Sequence, residues 1–333
     1  METILLLIHT EPDGTLAKPA LETLQAALTL GPISVGIVGE KTQAAANQIA
    51  SCGATQFFAV EGADFVQPRY ATDVTAAQAL VQTAQATLIL APATSRWSRV
   101  LAGVAQRVGG CMETHVTGVV NNNGAVTVSR WYYRQRMEAQ LSRTQRPWFL
   151  LIDPGSQPVW SGSSGTASVT PVAVELPALR TSVTGIRQPS ADAQTIRPDA
   201  ALLFVTGAGW TKKQADGQTH VPEAEKLIRT FLDKTRASLG STKSLVDLGG
   251  EGQAVLSFLT HLNQIGQTGS TPRHQKGLAT CCHGEEPHSV GWRFIKERRA
   301  ISLDANCGWA RGKADVVYVA DAFAVMAKVN ELL

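Results

Sequence analysis

Three short segments in the last third of the chain hold the residue types that could bind a polar ring or a phosphate. The first is Gln264-Ile265-Gly266-Gln267-Thr268-Gly269-Ser270. Glycines three apart let a backbone turn sharply and approach a ligand without interference from Cβ. Gln267 and Thr268 add an amide and a hydroxyl between them, although the same four residues also suit an ordinary turn. The second is Gly240-Ser241-Thr242-Lys243-Ser244-Leu245-Val246-Asp247, which sets a hydroxyl beside a cation. On spacing alone, Lys243 reads as a solvated helix-end residue. The third is Cys281-Cys282-His283-Gly284-Glu285-Glu286-Pro287-His288, a glycine between two imidazoles.

Two other chemistries are weighed against ligand binding. Cys281, Cys282, His283, Glu285, His288 and Cys307 invite a metal reading, but adjacent cysteines followed directly by histidine are poor spacing for a closed tetrahedral site. No metal is expected. Gly162-Ser163-Ser164-Gly165 lies in a linker-like stretch and lacks the strand and helix context of a nucleophile elbow, so no catalytic residue is assigned.

The elements that must position these segments follow from periodicity. In the first third, apolar runs at Ile4–Ile8, Ser34–Val38, Gln56–Val60 and Thr87–Leu90 read as buried strands. Between them, Pro19–Leu30, Gln43–Ser51, Ala76–Gln85 and Ser98–Val108 read as helices. That rhythm implies parallel strands with right-handed crossovers. From about Thr114 strands follow directly on strands, at Val116–Val120, Ala125–Ser129 and Trp148–Ile152. Asn121-Asn122-Asn123-Gly124 turns the first into the second. Residues 153–190 are rich in Ser, Gly, Pro and Thr and read as a loose strand and an extended linker. A second α/β rhythm then runs through strand Ala201–Thr206, helix Glu223–Thr235, the three candidate loops, strands Ala300–Leu303 and Val316–Val319, and a terminal helix Ala322–Leu333. The expected architecture is two doubly wound, mostly parallel α/β domains, 1–190 and 191–333.

Composition narrows the function classes. The chain has 333 residues, 44% hydrophobic and 17% charged, with a formal charge of +3. The charge is too small and too dispersed for a nucleic-acid partner. No apolar stretch reaches the roughly 18 residues of a membrane span. Met1–Ile8 reads as a first strand, not a signal peptide. Five cysteines without a CxxC pair suit a reducing compartment, so a cytoplasmic location is expected.

Taken together, the three segments resemble the FAD-binding domain of the electron-transfer flavoprotein alpha subunit. The resemblance extends along the chain. Leu16-Ala17-Lys18-Pro19-Ala20-Leu21-Glu22-Thr23-Leu24 looks like the family's Lys-Pro entry into its first helix, and Ala91-Pro92-Ala93-Thr94-Ser95-Arg96 like a strand end of the same domain. It implies a nucleotide-hydrolase-like N-terminal domain with a β-rich extension, followed by an FAD-binding domain. Where the family has glycine, a small residue, serine and arginine, this chain has Gly240, Ser241, Thr242 and Lys243. The cation over the flavin ring is then a lysine, which keeps the charge and loses the planar guanidinium. Gly266, Gln267, Thr268 and Gly269 match in full, the threonine hydroxyl being the family's partner of flavin N5, while Ser270 stands where the family has a lysine. His288 falls on the family's histidine at the flavin pyrimidine carbonyl, Gly284 on a retained glycine and His283 on a serine; Glu285 and Glu286 add carboxylates to a normally neutral stretch.

Elsewhere the pattern is eroded. The family's glycine-glycine-arginine-glycine loop reads Gly207-Ala208-Gly209-Trp210, leaving Lys212 or Lys213 to supply a cation. The family's asparagine after the late strand falls at Leu303, so that Asp304 or Asn306 serves only if the loop shifts. Asp321 matches a family position near the adenosine ribose. The resemblance implies an electron carrier and not an enzyme. It pairs the chain with a beta subunit that often holds AMP, an electron-donor dehydrogenase and a quinone oxidoreductase. The alternative is a structural paralogue that has weakened or lost FAD. The family holds FAD non-covalently, so acid precipitation of the yellow complex is expected to release all colour into the supernatant; colour retained in the pellet contradicts this.

Overall fold

The structure is a computed structural model that describes residues 2–132, 137–185, 196–197, 200–247, 254–266, 273–280, 292 and 295–333. The chain divides into two compact units, Met1–Arg187 and Gln188–Leu333.

The first unit alternates β1 (Ile4–His9), α1 (Lys18–Leu28), β2 (Ile33–Gly39), α2 (Thr42–Gln48), β3 (Gln56–Glu61), α3 (Tyr70–Thr83), β4 (Leu88–Pro92) and α4 (Ser95–Arg107). It continues as β5 (Cys111–Asn122), β6 (Ala125–Tyr132), β7 (Met137–Leu141), β8 (Trp148–Ile152) and β9 (Val169–Pro171). These strands form one sheet in the order β7-β6-β5-β8-β4-β1-β2-β3-β9. All pairs are parallel except β5 with β6 and β6 with β7. Alternation along β1 explains the layers. Ile4, Leu6 and Ile8 pack with residues of α1 and α2, whereas Leu5 and Leu7 pack with residues of α3 and α4. A strand buried on both faces needs apolar residues at every position, which is why the run was visible in the sequence.

The strand-rich extension is wider than the periodicity suggests. β7 was not anticipated; it is anchored by antiparallel pairing with β6 and by Leu141, which packs against the core. Asn123 and Gly124 both take positive φ, 53° and 93°, as a two-residue hairpin turn requires. Glu113 is buried and binds the guanidinium groups of Arg130 and Arg143, the latter at 2.6 Å, fastening β5 to β6 and to the chain after β7. The linker region contributes β9, which pairs with β3 and ends at Pro171. α3 begins six residues before the expected start, because tertiary contacts support its first turn. Asp73 accepts the Arg69 backbone N–H at 3.2 Å and receives the buried Arg96 guanidinium at 3.0 and 2.6 Å.

The second unit contains β10 (Leu202–Thr206), α5 (Val221–Thr235), β11 (Ser238–Ser241), α6 (Lys243–Asp247), β12 (Lys276–Thr280), β13 (Glu297–Ser302), α7 (Gly308–Lys313), β14 (Val316–Val319) and α8 (Ala322–Leu332). Its sheet has the order β11-β10-β12-β13-β14, parallel throughout. Phe204 and Leu239 pack with residues of α5 and α8, whereas Leu203 and Val205 pack with Trp292, Ile295 and residues of α7. β11 and β12 were not read as strands, since Ser-Leu-Gly-Ser and Lys-Gly-Leu-Ala-Thr carry almost no β-branched signal. The late strand starts three residues before the expected Ala300 and leaves Leu303 outside it, 52% exposed.

His9 ends β1 inside the first unit. Its Nδ1–H donates to the Thr10 carbonyl at 3.2 Å, which leaves Nε2 to accept from the Thr94 hydroxyl at 3.3 Å. Burial, with the nearby Arg96 guanidinium adding to it, pushes the imidazole down to about 4. Between about pH 4 and the ordinary histidine value near 6.5 the ring is therefore neutral in the folded protein but charged in the unfolded chain. Its contribution is complete above the ordinary histidine range near 6.5 and is lost as pH falls from there towards 4, by about 3 kcal/mol in total. Urea unfolding between pH 7.5 and 4.5 is expected to show this loss, and His9→Gln to remove that part of the slope.

Candidate functional site

In the second unit the chain runs from β10 outward to β11 and then returns to β12 on the opposite side of β10. This reversal is a topological switch point, and in open parallel sheets ligands bind beyond the carboxyl ends of the strands at such a place. The strands that meet there end alike. Thr206, Ser241, Thr280 and Ser302 close β10, β11, β12 and β13, and all four are buried. Thr206 pairs with both Ser241 and Thr280. Two of the hydroxyls are satisfied by the sheet, since Thr206 Oγ1 donates to the Gly240 carbonyl and Thr280 Oγ1 to the Val205 carbonyl, each at 3.1 Å. Ser241 Oγ is buried and, among the described residues, has no hydrogen-bond partner, an uncommon condition for a buried hydroxyl.

The described candidate residues lie along this edge. Thr242 follows β11, is fully buried, and donates its N–H to the Thr206 carbonyl at 3.0 Å. Lys243 opens α6 with its side chain 51% exposed. Gly266 has φ +109°, a conformation that favours glycine. It follows Ile265, whose N–H donates to the Ser241 carbonyl at 3.1 Å. Gly240 must also lack a side chain, because a Cβ there would come within 2.9 Å of Ile265 Cγ2. Asp304 follows β13 and accepts the Asn306 backbone N–H at 2.8 Å. Asp321 caps α8, accepting the Ala324 N–H at 2.8 Å. Gln267, Thr268, Gly269, His283, Gly284 and His288 lie outside the described residues. β11 and β14 are four strand spacings apart, roughly 19 Å, so only an elongated ligand could reach both Thr242 and Asp321.

The loop after β10 is occupied by its own side chains. Ala208–Thr211 forms a buried 3₁₀ turn. Trp210 is fully buried, stacks at 4.6 Å against Phe323, and donates its indole N–H to Thr280 Oγ1 at 2.8 Å. The Gly207 N–H donates to the Thr280 carbonyl at 3.0 Å. Trp210 thus bridges the ends of β10 and β12 from the loop in which the resemblance implies an arginine. Lys212 and Lys213 are exposed in the turn that follows. The closing row of hydroxyls and the bridging role of Trp210 were missed in the sequence. The available signal was a hydroxyl residue at the end of each of the first two strands, Thr206 before Gly207 and Ser241 before Thr242-Lys243.

The fit to a flavin nucleotide is uneven along this edge. A buried hydroxyl without a partner, a half-exposed cation and a glycine turn stand together at β11 and beside it, and suit a ring with carbonyl and nitrogen acceptors. The β10 loop offers packing and no cation. Among the described residues, no group of three or more His, Cys, Asp or Glu is arranged to hold a metal, and no helix is long and apolar enough to cross a membrane; Cys281, Cys282, His283, Glu285 and His288 lie outside them.

The family model described as electron transfer flavoprotein domain matches residues 4–179, more than half of the chain. The chain belongs to the electron-transfer flavoprotein family. The matched segment lies within the first unit. No curated protein matches the chain.

Trp210 is expected to govern the stability of the second unit. Trp210→Ala should cost about 3–5 kcal/mol through the cavity it leaves. Trp210→Phe keeps most of the packing and should cost roughly 1 kcal/mol from the lost donor to Thr280. Denaturant unfolding of the two variants measures both.

Proposed function

We propose that this chain is an alpha-type subunit of an electron-transfer flavoprotein, which holds FAD non-covalently together with a beta subunit. It relays electrons from a flavin dehydrogenase towards a quinone oxidoreductase in the cytoplasm, as a carrier without a small-molecule substrate. AMP, where present, belongs to the partner subunit. Family membership supports the general role. The observation that carries the finer reading is the gathering of Thr242, Lys243, Gly266, Asp304 and Asp321 at the carboxyl ends of one parallel sheet, beside its switch point.

The C-terminal domain, 191–333, holds the cofactor in this reading. FAD supplies a ring that accepts and returns electrons. Thr242 and the segment Gly266, Gln267, Thr268 and Gly269 bind that ring and fix its orientation. His283, Gly284 and His288 line its pyrimidine side, and Asp304 and Asp321 serve the nucleotide end. Lys243 supplies positive charge that favours an anionic reduced ring over the neutral oxidised one. Unit charges about 4 Å apart at an effective dielectric near 20 interact by roughly 4 kcal/mol, and solvent screening of a half-exposed lysine leaves a fraction of that.

Trp131, Tyr132, Tyr133 and Trp148 make the strand-rich extension aromatic, as a surface covered by a partner would be. Trp148 is fully buried in the first unit's own core and serves no partner. Trp131 and Tyr132 are half-buried, Tyr132 beneath the Arg130 guanidinium at 4.2 Å, and Tyr133 lies outside the described residues. A second reading, a paralogue with weakened or lost FAD, is favoured by one observation: Trp210 fills the β10 loop and the Gly207 N–H is already bonded to the Thr280 carbonyl.

Co-purification with a beta-type subunit tests the proposal. A one-to-one complex with a flavin spectrum is the expected result, and a colourless complex selects the paralogue. Given a yellow complex, Lys243→Met should lower the reduction potential by on the order of tens of millivolts, with FAD affinity falling less. Lys243→Arg should restore or exceed the parent value, because a guanidinium also lies flat on an aromatic ring. Unchanged potentials in both variants remove Lys243 from the site.

A further inference from the structure

Lys243 Nζ lies 3.7 Å from Asp247 Oδ2, one helical turn further along α6. The other oxygen of the same carboxylate, Oδ1, lies 3.8 Å from His261 Nδ1. His261 opens a 3₁₀ turn, His261–Asn263, whose start is fixed by a reciprocal cap between Thr260 and Asn263. From there the chain passes through buried Gln264 and Ile265 to Gly266. One carboxylate therefore stands between the loop that follows β11 and the turn that feeds Gly266. The same two segments are joined behind it by the backbone bond from Ile265 to Ser241. The three side chains are 51%, 39% and 73% exposed, which places them on the rim and not in the core.

Among the described residues, the turns packed on α6 are Ala208–Thr211 and His261–Asn263. The first has no ionisable side chain and is followed by Lys212 and Lys213; the second contributes His261. Asp247 is the only acidic side chain that the ion pairs of the described residues bring to Lys243.

We infer that Asp247 is a positioning residue for Lys243: it holds the ammonium towards the His261 turn and limits the positive charge available to a ligand at the carboxyl edge of the second sheet. The flavin part of this inference rests on the function proposed above. An anionic ligand at that edge competes with Asp247 for one lysine, and removing the carboxylate releases the lysine to the ligand. When protonated, His261 gives Asp247 a second charged partner, and the carboxylate then also steadies the turn before Gly266. An exposed pair at this separation corresponds to an effect of about two- to fivefold in an equilibrium constant.

The test is a double-mutant cycle on the holo complex, with a second measurement that needs no flavin. Asp247→Asn should tighten FAD about two- to fivefold and raise the reduction potential. The same substitution in a Lys243→Met background should change neither. A gain or loss of equal size in both backgrounds shows that Asp247 does not act through Lys243 and overturns the inference. The flavin-free arm follows amide hydrogen exchange at Ile265 in the full chain at a pH acid enough to protonate His261. Asp247→Asn and His261→Gln should each accelerate it about two- to fivefold, and unchanged exchange in both overturns the tie between the two segments. A parent complex that takes up no FAD, with exchange accelerated as expected, defeats the flavin reading and leaves the tie standing.

Discussion

Parallel pairing of β10 with strands on both sides is the constraint on which the candidate site depends. It sets Thr206 opposite Ser241 on one side and Thr280 on the other, so three chain segments far apart in sequence finish on one line. Everything proposed for the second unit follows from that register. A slip of one residue would carry Thr206 and Thr280 to the opposite face. It would break the Trp210 bridge and turn the hydroxyls into the packed layers. The buried alternation of Leu203, Phe204 and Val205 between the two apolar layers prevents such a slip.

The two units use the same architecture differently. In the first, groups of the unit itself meet at the end of β1: His9 against Thr94 on the β4 side, Thr10 against Gly39 on the β2 side, with Arg96 of α4 paired to Asp73 of α3. In the second, the corresponding reversal is bridged on one face by Trp210, while Ser241 Oγ has no partner among the described residues. Satisfied polar groups stabilise a scaffold; unsatisfied ones raise its free energy until something binds.

How much of this was legible in the sequence depended on burial. Strands covered on both faces, such as Ile4–His9 and Trp148–Ile152, are continuous apolar runs and were read to within a residue. β7, β11 and β12 are short and poor in β-branched residues, and their strand state comes from neighbours that a local pattern does not contain. α3 gained its first six residues from the Asp73 and Arg96 contact, again a tertiary effect. At the candidate site, the glycines at 240 and 266 and the position of Lys243 were visible as types and spacing. The partners that define them were not: Asp247 reaching Lys243, and Trp210 reaching Thr280, are facts of three-dimensional register.

The outer strands of the two sheets have unequal consequences for colloidal behaviour. β9 stops at Pro171, which has no N–H to offer a further strand, so that margin of the first sheet resists extension by another chain. β14, the last strand of the second sheet, has no such device. Val316-Val317-Tyr318-Val319 contains neither proline nor charge, and Val316, Tyr318 and Val319 are 42–56% exposed. Its outward row of backbone donors and acceptors is a template for strand addition. That margin is open to strand addition, and Val319→Lys would be the smallest change that discourages it.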